Sequence, residues 1–119
     1  MFTCFISYTV DPKKLKEFAE YARTWISIIE KYGGIHHGYF LPHENSDDLP
    51  SPAFSFPGIG RVGQKNIAVA LFSFPDLDTY NTYKKAVAED SECQKITAQY
   101  EKTKCFSSYE RSFLKPIFK

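Results

Sequence analysis

The chain has 119 residues, enough for one domain with a buried core, and it is 43% hydrophobic and 24% charged, a globular balance. Lys and Arg number 15 against 14 Asp and Glu, a formal net charge of +1, which gives no general pull on nucleic acid or an anionic membrane. No apolar run approaches the roughly 20 residues of a membrane-spanning helix. The N-terminal stretch lacks the basic, apolar and cleavage segments of a signal peptide, so the expected location is cytoplasmic, with no membrane insertion and no nucleic-acid partner.

Residues 2–10, FTCFISYTV, alternate and are rich in β-branched and aromatic side chains, which predicts a strand. Asp11 and Pro12 then form a helix start: the carboxylate accepts free backbone N–H groups, and proline loses nothing in the first turn. The predicted helix runs from Pro12 to about Lys31 and stops at Gly33 and Gly34. Leu15, Phe18, Ala19, Ala22, Ile26 and Ile29 form one apolar stripe on it. Tyr21, Trp25, Ile28 and Tyr32 form a second stripe beside the first, and together they span roughly 180°. A helix resting on one sheet needs a little over ~100°. The extra aromatic flank therefore covers something else: a second helix, a partner chain or a ligand cavity.

Residues 34–42, GIHHGYFLP, predict a second strand, and residues 66–74, NIAVALFSF, a third. The third is apolar on both faces, which marks a central strand. Pro75 and Asp76 open a second helix, with Leu77, Tyr80, Tyr83 and Val87 on one side. Asp90 or Ser91 opens a short third helix, on which Cys93, Ile96 and Tyr100 share a face. Residues 105–114, CFSSYERSFL, form the last strand. Cys4, Cys93 and Cys105 are odd in number and lack CxxC spacing, so they are predicted to be buried thiols in a reducing compartment.

The order is that of two split βαβ units with an extra short helix: an α+β, ferredoxin-like βαββαβ domain over residues 1–119. Its antiparallel sheet carries helices on one face only. The other face then exposes Phe, Tyr and Leu, and a homodimer closing sheet on sheet is expected. Residues 43–65 are the exception, a connection long enough to be a lid, a binding loop or disorder. Within it, Asp47 and Asp48 are expected to face water rather than a cation. Gly58 to Gly63 spells G-x-G-x-x-G, but it leads into a strand instead of a helix, so no nucleotide site is expected.

All three histidines lie in residues 32–44: His36, His37 and His43. His36 and His37 are adjacent in a strand and point to opposite faces. His37 and His43 lie about 20 Å apart along an extended chain. No metal site is expected from them. His37 is assigned to the helix side, where it is either a general base or a hydrogen-bonded strand residue. If a small-molecule site exists, Tyr8, Tyr21, Trp25, Tyr32, Tyr80, Tyr83 and either His36 or His37, His37 by preference, are expected to line it between sheet and helices.

Several stretches resemble the NIPSNAP family, within the dimeric α+β barrel superfamily: YTVDPKKLKEF at 8–18, YGGIHHGYF at 32–40, LFSFPDLDTY at 71–80, AEDSECQKI at 88–96 and SSYERSFLKP at 107–116. Ile6 stands where the family often has Arg, Cys93 replaces a common Trp, and the 43–65 connection is longer than usual. The resemblance implies a dimeric α+β barrel and no settled reaction. Superfamily relatives include cofactor-independent monooxygenases and haem-degrading enzymes, which use a cavity between sheet and helices. Two readings follow. One is a homodimeric module that binds a small apolar or aromatic molecule, or a partner, without chemistry or cofactor. The other is a cofactor-independent monooxygenase or isomerase acting on a small aromatic or carbonyl substrate, with His37 as the candidate catalytic residue.

Overall fold

The computed structural model describes residues 1–43, 49–51 and 53–118. The elements are β1 (Phe2–Val10), α1 (Leu15–Lys31), β2 (Ile35–Phe40), β3 (Ile67–Phe74), α2 (Leu77–Val87), α3 (Ser91–Thr103) and β4 (Phe106–Leu114). The strands form one sheet in the order β2-β3-β1-β4, and each neighbouring pair is antiparallel. This is the split βαβ arrangement, with β1 and β3 in the centre.

The expected barrel is not formed. The sheet is open, with β2 and β4 as its two edges. Those edges are three strand spacings apart, roughly 14 Å at the usual separation, and four strands are too few to curl round and meet.

Register explains which residues share a face. Ile6 lies opposite Ala70 on one side and Arg111 on the other, and Tyr8 lies opposite Ala68 and Tyr109. Ile6, Tyr8, Ala68 and Ala70, with Cys4 and Phe72, floor the core. From α1, Phe18, Ala22, Ile28 and Ile29 are fully buried above them. Phe18 meets Tyr8 edge-on with centroids 5.2 Å apart. Gly34 lets the chain turn tightly into β2, since a Cβ there would sit 2.6 Å from the Ile29 Cγ2.

Helix α1 starts at Leu15, three residues later than Pro12. The Asp11 side chain accepts the Lys13 N–H at 2.9 Å and its carbonyl accepts the Lys14 N–H at 2.9 Å, so the segment closes a turn first. The other two starts follow the expected chemistry. Asp76 accepts the Thr79 N–H and caps α2, while Asp90 accepts the N–H groups of Glu92 and Cys93 and caps α3. The buried Asp90 carboxylate also takes Lys31 at 2.6 Å and the Tyr32 hydroxyl at 2.5 Å, which ties the end of α1 to the start of α3. These donors, Lys31 foremost, hold its carboxyl well below the usual range.

The opposite face of the sheet carries no helix. Phe5, Val69 and Leu71 are half-buried there, and Ile35, Phe40 and Leu114 are exposed at its margins. Asp47 and Asp48 lie outside the described residues. Residues 53–66 contain no helix or strand, and the glycines at 58–63 lead into β3.

Candidate functional site

Between the sheet and α1 lies a cavity of about 50 Å³. Tyr8 and Ile6 of β1, Tyr21, Trp25 and Ile29 of α1, Tyr39 of β2, Phe72 of β3, Tyr83 of α2 and Arg111 of β4 line it. The space exists because the second stripe of α1 meets other aromatic rings instead of small residues. Tyr8 and Tyr21 meet edge-on at 6.3 Å, Tyr8 and Tyr39 stack at 6.1 Å, and Tyr21 is 6.3 Å from Trp25. These separations are ordinary aromatic contacts, so the rings form a continuous wall round the space.

Burial pushes the phenols of Tyr8, Tyr21, Tyr39 and Tyr83 above their ordinary value, so each stays protonated at neutral pH. The Arg111 guanidinium opposes that rise at Tyr8, Tyr39 and Tyr83 without reversing it. Arg111 is the one exposed member of the lining set, so the solvent side of the cavity is there. The indole Nε1 of Trp25 is buried and makes no hydrogen bond of good geometry, although it lies near enough to the Tyr21 hydroxyl to oppose part of the rise there. An orphan buried donor costs about 1–3 kcal/mol, a penalty that a ligand acceptor would remove.

The histidines are placed differently from the sequence reading. In the β2–β3 ladder His36 pairs with Phe72, and Gly38 pairs with Leu71, so residue 37 bulges out of register. His36 therefore faces the helices, stacking on Tyr39 at 5.1 Å and against Phe72 at 5.5 Å. His37 faces away, exposed, with its Nε2 2.8 Å from the Ser73 hydroxyl on the helix-free face. Ser73 in turn shares a 2.7 Å hydrogen bond with Thr3. A Ser–His pair at this distance has the geometry of a nucleophile and its base. Ser73, however, is 0% exposed, so no substrate reaches it. The chain of hydroxyls satisfies buried polar groups instead.

His36 Nδ1 accepts the Gly38 N–H at 2.9 Å, so its proton resides on Nε2. That Nε2 is buried and unpartnered. Burial first, and His37 second, lower its pKa to about 4. His36 is thus a neutral donor beside the cavity.

Of the expected lining residues, Tyr8, Tyr21, Trp25 and Tyr83 come together. Tyr80 and Tyr32 do not join them. Tyr80 is buried in the core, 5.5 Å from Phe74 and 5.2 Å from Phe2. Tyr39 and Arg111 were not expected. Gly38 was the available signal for Tyr39, because a glycine inside a strand marks a bulge that shifts parity. Arg111 shares parity with Tyr109 and Phe113, and only its charge disguised it as a solvent residue.

Other features lack this chemistry. A larger cleft of about 560 Å³ on the helix-free face is open and lined by hydroxyls and Glu110, with Arg61 and Gln64 at its side, and neither of the buried unpartnered donors, Trp25 and His36, belongs to it. Cys4 and Cys105 are buried, and burial pushes the Cys4 thiol up to about 11, while Cys93 is only half-buried. Among the described residues no group of three or more His, Cys, Asp and Glu side chains is arranged to hold a metal ion, and no helix is long and apolar enough to cross a membrane.

The fold is shared with solved structures. A NIPSNAP domain protein from Burkholderia xenovorans superposes with a TM-score of 0.68 at 18% identity, covering 98% of this chain and 95% of that one. A NIPSNAP family protein from Agrobacterium tumefaciens gives 0.68 at 16% identity, covering 98% and 87%. A Nitrosomonas europaea protein named for a proposed antibiotic biosynthesis monooxygenase activity gives 0.62 at 9% identity, covering 99% and 100%. At such identities the likeness is one of fold. No curated protein matches the chain. The NIPSNAP family model matches residues 3–46 and 55–118, nearly the whole sequence, and the chain belongs to the NIPSNAP family.

Proposed function

We propose that this protein binds a small molecule in the cavity between sheet and helices and works as a homodimer joined through the helix-free face. One observation carries the binding reading: the Trp25 N–H is buried, unpartnered and part of the wall of a cavity. A packed core would have excluded the indole nitrogen or given it an acceptor. The dimer reading rests on Phe5, Val69, Leu71 and Phe40, which together leave apolar area in water.

Binding is favoured over chemistry. A cofactor-independent oxygenase or isomerase needs a group that takes up a proton at neutral pH. The lining offers four protonated phenols, an indole and a guanidinium, none of which is such a base. His36 has its free lone pair occupied by Gly38, and His37 is bonded to Ser73 on the far side.

Native mass spectrometry of freshly purified protein tests the reading. A protomer mass exceeding that of the bare chain by a discrete small-molecule increment, lost in Trp25→Ala, is the expected result. A bare mass from the gentlest conditions, together with no binder in a screen of neutral and charged fragments, would refute it.

A further inference from the structure

We infer that the cavity takes the carboxylate of a small organic acid, an inference that rests on the binding reading above. Donor and acceptor accounting leads there. Trp25 Nε1–H and the Arg111 guanidinium can only donate, and the neighbouring His36 Nε2–H is a donor by tautomer. The phenols are held protonated by burial and can donate as well. No carboxylate is part of the lining, and among the described residues none pairs with Arg111. The wall is therefore rich in donors, poor in acceptors and positively charged at its solvent side. The phenols of Tyr8, Tyr21 and Tyr39 bond one another, but a neutral apolar occupant would leave the Trp25 and His36 N–H groups and the Arg111 guanidinium unmet. A carboxylate accepts several hydrogen bonds at once, and Arg binds it with two parallel ones.

Size agrees. The cavity of about 50 Å³ has room for a carboxylate but not for a large ring system. The body of the acid has a second place to lie. Tyr21 is also a wall of an open cleft of about 390 Å³, formed with Tyr100, Phe106 and Tyr109 beside β4. Tyr109 is two residues from Arg111 on the same face of that strand, roughly 7 Å along it. A carboxylate on Arg111 can thus extend an aromatic or apolar body into the cleft.

Trp25 is the chain's one tryptophan, so its fluorescence reports on the cavity alone. Acetate, benzoate and phenylacetate are titrated against benzamide, phenol and benzylamine, in the full chain and in Arg111→Gln and Arg111→Lys. Arg111 is exposed on an edge strand, so both variants are expected to fold, which circular dichroism checks. Benzoate or phenylacetate should bind saturably and at least tenfold more tightly than benzamide. Arg111→Gln should abolish that preference by lowering benzoate affinity at least tenfold, and Arg111→Lys should restore part of it. Equal affinity for benzoate and benzamide, or full benzoate affinity in Arg111→Gln, would overturn the inference. If phenol and benzamide bind and the acids do not, the carboxylate assignment falls while the binding cavity stands. If nothing in the panel perturbs Trp25, the carboxylate assignment falls, and the mass-spectrometric experiment decides the cavity separately.

Discussion

The backbone N–H of Gly38 donates to Nδ1 of His36 at 2.9 Å, and this one bond decides which ring nitrogen of His36 carries the proton. Burial against Tyr39 and Phe72, with His37 next to it, is what keeps the imidazole neutral. Protonating Nδ1 would replace an accepted hydrogen bond with a buried, unsolvated charge. His36 is accordingly expected to titrate near pH 4, far below its ordinary 6.5, as read from its ring C–H resonances. The neutral form is favoured in the folded chain. The stability it confers is complete above pH 6.5 and is lost as pH falls from there through about 4. Substituting His36→Phe should flatten the stability profile across that window. A ring titrating near 6.5 would show that His36 is solvated.

Gly38 holds φ at +113°, and a Cβ there would meet nothing within 4 Å. The cost of Gly38→Ala is therefore backbone strain alone, about 1–3 kcal/mol in urea denaturation. Because the same φ creates the bulge, the variant should also disturb the His36 resonance. An unchanged midpoint would mean that the bulge tolerates an ordinary residue.

Phe18 and Trp25 sit two turns apart on α1 but should respond differently to truncation. Phe18 is fully buried in the core, so Phe18→Ala should cost about 3–5 kcal/mol. Trp25 already borders empty space and carries an unmet donor, so Trp25→Ala should cost clearly less than that range. Trp25→Phe, which removes the orphan N–H and keeps an aromatic ring, should stay within about 1 kcal/mol of the parent. Equal losses for Phe18→Ala and Trp25→Ala would mean that the indole is solid core.

The helix-free face predicts a dimer at micromolar concentration in sedimentation. Val69 and Leu71 lie on a central strand of that face, away from the cavity. Leu71→Arg should shift the assembly toward monomer while leaving the Trp25 environment intact. A parent protein that sediments as a monomer at every concentration would remove the homodimer from the account.

Much of the fold was legible because its signals are local. Asp76 and Asp90 announce their helices by capping, and the two-sided apolarity of residues 67–74 follows from burial between two strands. The pocket aromatics on α1 were legible from a stripe too wide for one sheet. Closure of the sheet was not legible, since it depends on how edge strands lie in space and no residue pattern encodes that for four strands. The side of the sheet that His37 faces was misread for a definite reason. Alternation counted back from Tyr39 puts His37 on the helix side, and the bulge between His36 and Gly38 breaks that count. Arg111 was overlooked because a charged side chain on an edge strand ordinarily faces water. Here its neighbour across the ladder is Ile6, which leaves the guanidinium free to line the cavity.

The most direct test of a binding cavity between sheet and helices is the single indole N–H resonance of Trp25 in a proton–nitrogen correlation spectrum, followed while a small-molecule mixture extracted from the native host is added. The account predicts a saturable shift of that resonance, accompanied by backbone shifts at Tyr8, Tyr39 and Arg111, with Thr9 and Glu110 on the opposite face unmoved. An indole resonance that stays fixed while the helix-free face responds would contradict it.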